Sequence, residues 1–255
     1  MKPNESILIA ADPDQAVALA ADRITEILSH EDRSTHPSAR SIALAGGQTP
    51  KPLYKRLTTN PYRRRIDWPQ IHFFWSDERA VPPNHPDSNY NMARQTLLEP
   101  LSIPADRIHP MPADTPDVGR AALAYEQTIR HILPANAQNI PVFDLILLGL
   151  GPDGHTASLF PGTCALHEQQ RLIVANWVDA QNAWRMTMAY PLLQAASNIV
   201  ILATGANKAH AVAQVLAPNA DPNHWPAAGL TGRNAHITWI LDNLAARLVP
   251  QSRSK

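Results

Sequence analysis

Residues 143–162 read FDLILLGLGPDGHTASLFPG. Apart from Asp144, the run from Phe143 to Leu148 is apolar with no alternation. That is how a strand looks when both faces of its sheet are covered, as in a parallel sheet. The run enters a turn holding Gly149, Gly151 and Gly154, and Pro161-Gly162 then stops any helix after about two turns. SIALA (41–45) and NIVILATG (198–205) share the apolar pattern. Further strands are expected at 6–10, 71–75, 172–175, 184–189 and 236–241. Helical patterns lie between them. Asp12 is placed to cap the first helix and Pro13 suits its first position. Val17, Ala20, Ile24, Ile27 and Leu28 form its apolar stripe. Other helices are expected over 52–57, 89–98, 118–133, 207–216 and 242–248. The alternation predicts an α/β fold: a Rossmann-like, mostly parallel sheet with helices on both faces. One domain over residues 1–255 is expected, with a small subdomain inserted from the middle of the chain as its one elaboration.

Composition narrows the function classes. Among 255 residues, 22 basic side chains balance 22 acidic ones. A nucleic-acid or anionic-membrane partner would call for a basic excess, so neither is expected. With 44% hydrophobic and only 17% charged residues, the chain has a core to build and little reason for disorder. The single cysteine, Cys164, excludes an intramolecular disulfide and any multi-cysteine metal site. Asp12 and Asp14 interrupt the N-terminal apolar run, which argues against a secretory signal, and no stretch reaches the ~18 apolar residues of a membrane span. A cytoplasmic globular protein is expected.

Ligands of open α/β sheets bind beyond the carboxyl ends of the strands, so the residues following each strand carry the functional signal. After SIALA come Gly46, Gly47, Gln48, Thr49 and Pro50. Two glycines let backbone N–H groups face outward at a helix start, which favours an anion, and Thr49 is placed to cap that helix. A tight strand-to-helix turn would use the same glycines, and the P-loop pattern is absent. After IHFFW come Ser76, Asp77, Glu78 and Arg79, then a proline-rich loop ending Asp87-Ser88-Asn89-Tyr90. Arg79 suits a bidentate grip on phosphate or carboxylate, or a structural ion pair at the rim.

The turn after Leu148 is the most informative. Gly149-x-Gly151-x-x-Gly154 matches a dinucleotide fingerprint, but the short helix and the lack of an acidic residue at the right spacing argue against a nicotinamide enzyme. His155 fits better. An imidazole titrates near pH ~6.5, so a neutral histidine in a glycine-rich turn can take a proton at cellular pH. Asp153 can orient it or simply stabilise the turn. Arg185 is a basic residue inside an otherwise apolar strand. Lys208 sits at a helix start, where it opposes the helix dipole unless an anion is bound. No HExxH or G-x-S-x-G pattern is present.

These segments resemble the 6-phosphogluconolactonase family over nearly the whole chain and in order: ALAGGQTPKPLY (43–54), FFWSDERAVPPNHPDSNYNMA (73–93), FDLILLGLGPDGHTASLFPG (143–162), RMTMAYPLL (185–193), ATGANKA (203–209) and ITWILDNLAA (237–246). The related glucosamine-6-phosphate deaminases share the GG-x-TP loop, an Asp-Glu pair and a DGH turn. They carry a catalytic glutamate five residues after the histidine, where this chain has Phe160, and a tyrosine after Asp-Glu, where it has Arg79. One departure from the lactonase pattern stands at Gln181-Asn182-Ala183-Trp184, where that family has a proline-containing segment.

The resemblance implies hydrolysis of a phosphorylated sugar lactone, 6-phosphoglucono-lactone, within the oxidative pentose phosphate pathway. It implies His155 as general base, with Asp153 and Asp77 tuning or orienting it. The 6-phosphate would be held by Gly46, Gly47, Gln48 and Thr49 together with Arg79, Arg185 and Lys208. No metal or other cofactor is expected, and a monomer or weak homodimer would suffice. Outside this class, the alternative is a sugar-phosphate sensor without catalysis.

Overall fold

The computed structural model describes residues 4–29, 40–232 and 235–250. Its strands are β1 (Glu5–Ala10), β2 (Ser41–Leu44), β3 (His72–Trp75), β4 (Asp77–Arg79), β5 (Leu145–Gly149), β6 (Ile173–Val178), β7 (Ala183–Met188), β8 (Asn198–Ala203) and β9 (His236–Asp242). Its α-helices are α1 (Pro13–Ser29), α2 (Pro50–Leu57), α3 (Tyr62–Arg65), α4 (Asn89–Ala93), α5 (Val118–Ile132), α6 (Tyr190–Leu193), α7 (Ala209–Val215) and α8 (Asn243–Ala246).

Six strands form one sheet in the order β1-β9-β8-β5-β2-β3, and every pairing in it is parallel. This is the α/β architecture that the apolar runs predict. β2 is buried throughout, as are Leu145–Leu148 of β5 and Ile199–Ala203 of β8, so both faces of the central sheet are covered. α1 packs on β1, β8 and β9 through the buried side of its stripe. Asp12 caps it, its carboxylate accepting from the Gln15 N–H at 2.8 Å.

The strand order fixes where a ligand binds. From β2 the chain moves outward to β3, then returns to β5 and continues the other way through β8 and β9. The order reverses between β2 and β5. Loops leaving the carboxyl ends of those neighbours diverge to opposite sides and open a crevice. The GGQTP and GPDGHT segments are these two loops.

Sequence pattern misplaces one part of the sheet. β4, β7 and β6 form a separate three-stranded antiparallel sheet. β4 is Asp-Glu-Arg, three charged residues with no strand signal of their own. It forms because the antiparallel ladder of β7 supplies its partners. α5 packs against β6 and β7.

Helix ends also differ. The expected helix at 89–98 is α4 followed by a π turn over Arg94–Leu98, and the one at 207–216 begins as the 3-10 turn Ala206–Lys208. Thr49 is itself helical and makes no side-chain cap, so the start of α2 relies on Pro50, whose missing N–H costs nothing there. No helix among the described residues is long and apolar enough to cross a membrane.

Candidate functional site

A cavity of about 430 Å³ opens at the β2–β5 switch point. All ten residues singled out above on sequence grounds stand on or beside it: Gly46, Gly47, Gln48, Thr49, Asp77, Arg79, His155, Arg185 and Lys208 line its wall, and Asp153 is bonded to His155.

His155 ends the turn that follows β5. The turn closes on itself, with Gly151 N–H donating to the His155 carbonyl at 2.8 Å and Gly154 N–H to the Gly151 carbonyl at 3.1 Å. A Cβ on Gly151 would lie 2.0 Å from His155 Nδ1, so the imidazole folds over a position open only to glycine. His155 Nδ1 is 2.6 Å from Asp153 Oδ1. Burial opposes ionisation of Asp153, but its hydrogen bond to His155 and the charge coupling between them prevail and hold the carboxyl below its usual value. An ionised carboxylate only accepts hydrogen bonds, so Nδ1 carries the proton and Nε2 is left as the basic nitrogen. Phe160 stacks on the ring, with centroids 4.1 Å apart and planes 26° from parallel.

The Asp-Glu-Arg strand divides three tasks. Glu78 is buried. Its Oε1 accepts from the backbone N–H groups of Arg79 and Asn89, each at 2.8 Å, and its Oε2 from Tyr90 N–H at 2.8 Å and Ser88 Oγ at 3.1 Å. It therefore ties β4 to the start of α4 across the proline-rich loop. Burial nonetheless pushes its carboxyl above the usual carboxylate range, against the pull of those donors.

Asp77 accepts from Ser158 Oγ at 2.6 Å through Oδ2 and from Asn89 Nδ2 at 3.2 Å through Oδ1. The resemblance has Asp77 tuning or orienting the histidine; its side-chain bonds run to Ser158 and Asn89, while the imidazole is bonded to Asp153. Asp77 joins the His155 segment to β4.

Arg79 points into the cavity, where its guanidinium also donates to the Asp87 carbonyl. Directly across the ladder from it stands Arg185. Like charges facing each other on adjacent strands are unfavourable. Burial and then the charge of Arg79 lower the Arg185 pKa, against the opposing pull of Asp77, Glu78 and Asp87. Lys208 is half-buried, which lowers its pKa, and Asp153 is the charge that raises it. The cavity therefore has two cationic regions: the arginine pair beside β4, and Lys208 near the His155–Asp153 pair.

Three contributors escape the sequence reading. Asn89 is buried, and because both partners of its Nδ2 are acceptors, the orientation of its amide is fixed. Among the described residues its Oδ1 has no hydrogen-bond partner, and it rests against Gly46, where a Cβ would approach it to 1.8 Å. Gly46 thus leaves room for Asn89 as well as freeing the loop. Ser158 has no distinguishing pattern in the sequence. Gln181, at the cavity mouth, is visible only as part of the unusual segment before Arg185.

A family model described as glucosamine-6-phosphate isomerases/6-phosphogluconolactonase matches residues 11–239. A 6-phosphogluconolactonase of Synechocystis is 42% identical over 242 residues, covering 95% of this chain and 94% of its own. One from Nostoc is 41% identical over 234 residues, covering 91% and 94%. The solved 6-phosphogluconolactonase of Trypanosoma brucei superposes with a TM-score of 0.85 at 34% identity, covering 96% of this chain and 99% of that one. The chain belongs to the glucosamine-6-phosphate isomerase/6-phosphogluconolactonase family. Its place there is in the lactonase branch.

Proposed function

We propose that this chain hydrolyses 6-phosphoglucono-lactone to 6-phosphogluconate, with His155 as general base. The observation that carries the reading is that one cavity is lined both by an oriented imidazole and by a facing pair of arginines. A sugar phosphate has matching ends, a reactive acyl carbon and a dianion.

The phosphate lies against Arg79 and Arg185 and the N–H groups of Gly46–Thr49 at the start of α2, with Lys208 completing the positive field. The dianion removes the repulsion between the facing guanidiniums, which gives binding a driving force beyond simple attraction. At the other end, His155 Nε2 takes a proton from water as the oxygen attacks the lactone carbonyl. Asp153 holds the imidazole and stabilises the imidazolium that forms. The imidazolium then gives its proton to the ring oxygen as the ester bond breaks. A lactone is already an activated acyl group, so a general base worth ~10²–10⁴ in rate, with positioning, is a sufficient catalyst.

Phe160 supports hydrolysis over deamination, since it stands where the resemblance puts the deaminases' glutamate. The test is a coupled assay. Lactone is generated in place from glucose 6-phosphate by its dehydrogenase, and its loss is followed near neutral pH with and without the protein. Glucosamine 6-phosphate is run in parallel with ammonia detection. Lactone loss well above the spontaneous rate without ammonia is the expected result. Ammonia release would transfer the chain to the deaminases.

A further inference from the structure

Gln181 ends the 3-10 turn Asp179–Gln181 between β6 and β7. The next residue, Asn182, is left-handed at φ 47° and turns the chain back into β7. The Gln181 side chain is exposed at the mouth of the cavity, where its amide oxygen accepts a hydrogen bond from Arg185 Nη2.

Arg185 has little else to hold it. Its Nε is buried and makes no hydrogen bond among the described residues. Its cross-strand partners are another arginine, Arg79 on β4, and Asn176 on β6, whose Nδ2 donates to the Ser158 carbonyl and the Thr163 hydroxyl. The carboxylates of Asp77 and Glu78 are already engaged by Ser158, Asn89, Tyr90 and Ser88. Among the described residues, the acceptor in direct contact with this half-buried cation is therefore a neutral amide.

That neutrality matters. A carboxylate at the same place would neutralise Arg185 and compete with any incoming anion. An aliphatic side chain would leave the guanidinium without an acceptor. An amide oxygen fixes the guanidinium while leaving its charge available. A phosphate oxygen is the stronger, charge-assisted acceptor and displaces it. The exposed turn leaves Gln181 free to swing away.

We propose that Gln181 is a positioning residue for the phosphate grip: an exchangeable neutral cap that holds Arg185 in the free protein and yields its Nη2 N–H to a phosphate oxygen on binding. The proposal rests on the phosphate-binding reading given above. It makes the unusual segment before Arg185 a working part of the site.

The test uses wild type, Gln181→Glu and Gln181→Met. Each is titrated calorimetrically with 6-phosphogluconate and with inorganic phosphate, and kcat and KM are measured on the lactone. Gln181→Glu is expected to raise Kd and KM at least about tenfold while kcat changes less than about threefold, since phosphate binding is lost equally from the ground and transition states. Gln181→Met keeps length and neutrality but removes the acceptor, so it should raise Kd and KM by about three- to fivefold, between wild type and the Glu variant, and a Met variant that binds like wild type would overturn the proposal. A Glu variant that binds like wild type would overturn the proposal. So would a Met variant as weak as the Glu variant, because the residue would then only shape the turn. Wild type that binds neither probe removes the phosphate site and this proposal together. The same variant differences in a protein that binds without hydrolysing would uphold the cap and remove only the lactonase reading.

Discussion

The ring of Phe160 covers one face of the His155 imidazole, 4.1 Å between centroids. Asp153 holds the same ring at its edge through Nδ1, at 2.6 Å. The imidazole is thus fixed by a stack and a hydrogen bond, and Nε2 is the nitrogen left for chemistry. An aromatic stack contributes about 0.5–1.5 kcal/mol, so Phe160→Ala should lower kcat by roughly 2- to 12-fold with little change in KM. Steady-state kinetics on freshly generated lactone reads this directly. An unchanged kcat would mean that the stack does not position the base.

Asp153→Asn removes the ionised acceptor while keeping the shape of the turn. The amide can present NH2 to Nδ1 and favour the wrong tautomer. A loss of about 10²–10⁴ in kcat is expected, by analogy with carboxylate loss in other oriented-histidine sites. Binding of 6-phosphogluconate should survive. A variant within threefold of wild-type kcat would return Asp153 to a purely structural role in the turn.

Gly46→Ala would place a Cβ 1.8 Å from Asn89 Oδ1. Asn89 must then move, and with it the bond to Asp77. Overpacking of this kind costs about 1–3 kcal/mol, so thermal melting should fall by several degrees and activity with it. The double variant Gly46→Ala/Asn89→Ala opens the space again and should recover part of the lost stability. No recovery would place the strain elsewhere in the loop.

The pair His72 and His109 lies at the edge strand β3. His72 Nδ1 meets His109 Nε2 at 2.8 Å, and Arg107 Nη1 meets His72 Nε2 at 2.7 Å. With an arginine donating to one nitrogen of His72, both rings are held neutral. Burial first, then neighbouring positive charge, lower both pKa values, that of His109 to about 4. The unfolded chain therefore binds protons more readily than the folded one below the ordinary histidine range. This stability is fully present above pH ~6.5 and is lost as pH falls toward about 4. Melting temperature should drop between pH 7 and pH 5, and less so in His109→Gln. An equal drop in that variant would assign the acid sensitivity to other groups.

Much of this was legible in the sequence because the central strands announce themselves. SIALA, FDLILLGL and NIVILATG have no polar alternation, and the structure buries both faces of each. The strand order then places GGQTP and GPDGHT side by side, and the residues that follow strands become the cavity wall. β4 was not legible, because Asp-Glu-Arg is a strand only through its pairing with β7. Without that ladder, the facing of Arg79 and Arg185 cannot be foreseen. Asn89 and Ser158 were hidden for the same reason: their roles lie in contacts made across 12 and 81 residues of chain, to Asp77. Gln181 stood out only as a departure from a family pattern, and its bond to Arg185 gives that departure a physical meaning.

The central claim is that His155 moves the proton while the arginine side of the cavity binds the substrate. The most direct measurement is His155→Ala, compared with wild type for kcat on freshly generated lactone and for calorimetric binding of 6-phosphogluconate. The account predicts that kcat falls by about 10²–10⁴ while Kd stays within about threefold. A variant that turns over at the wild-type rate would contradict it.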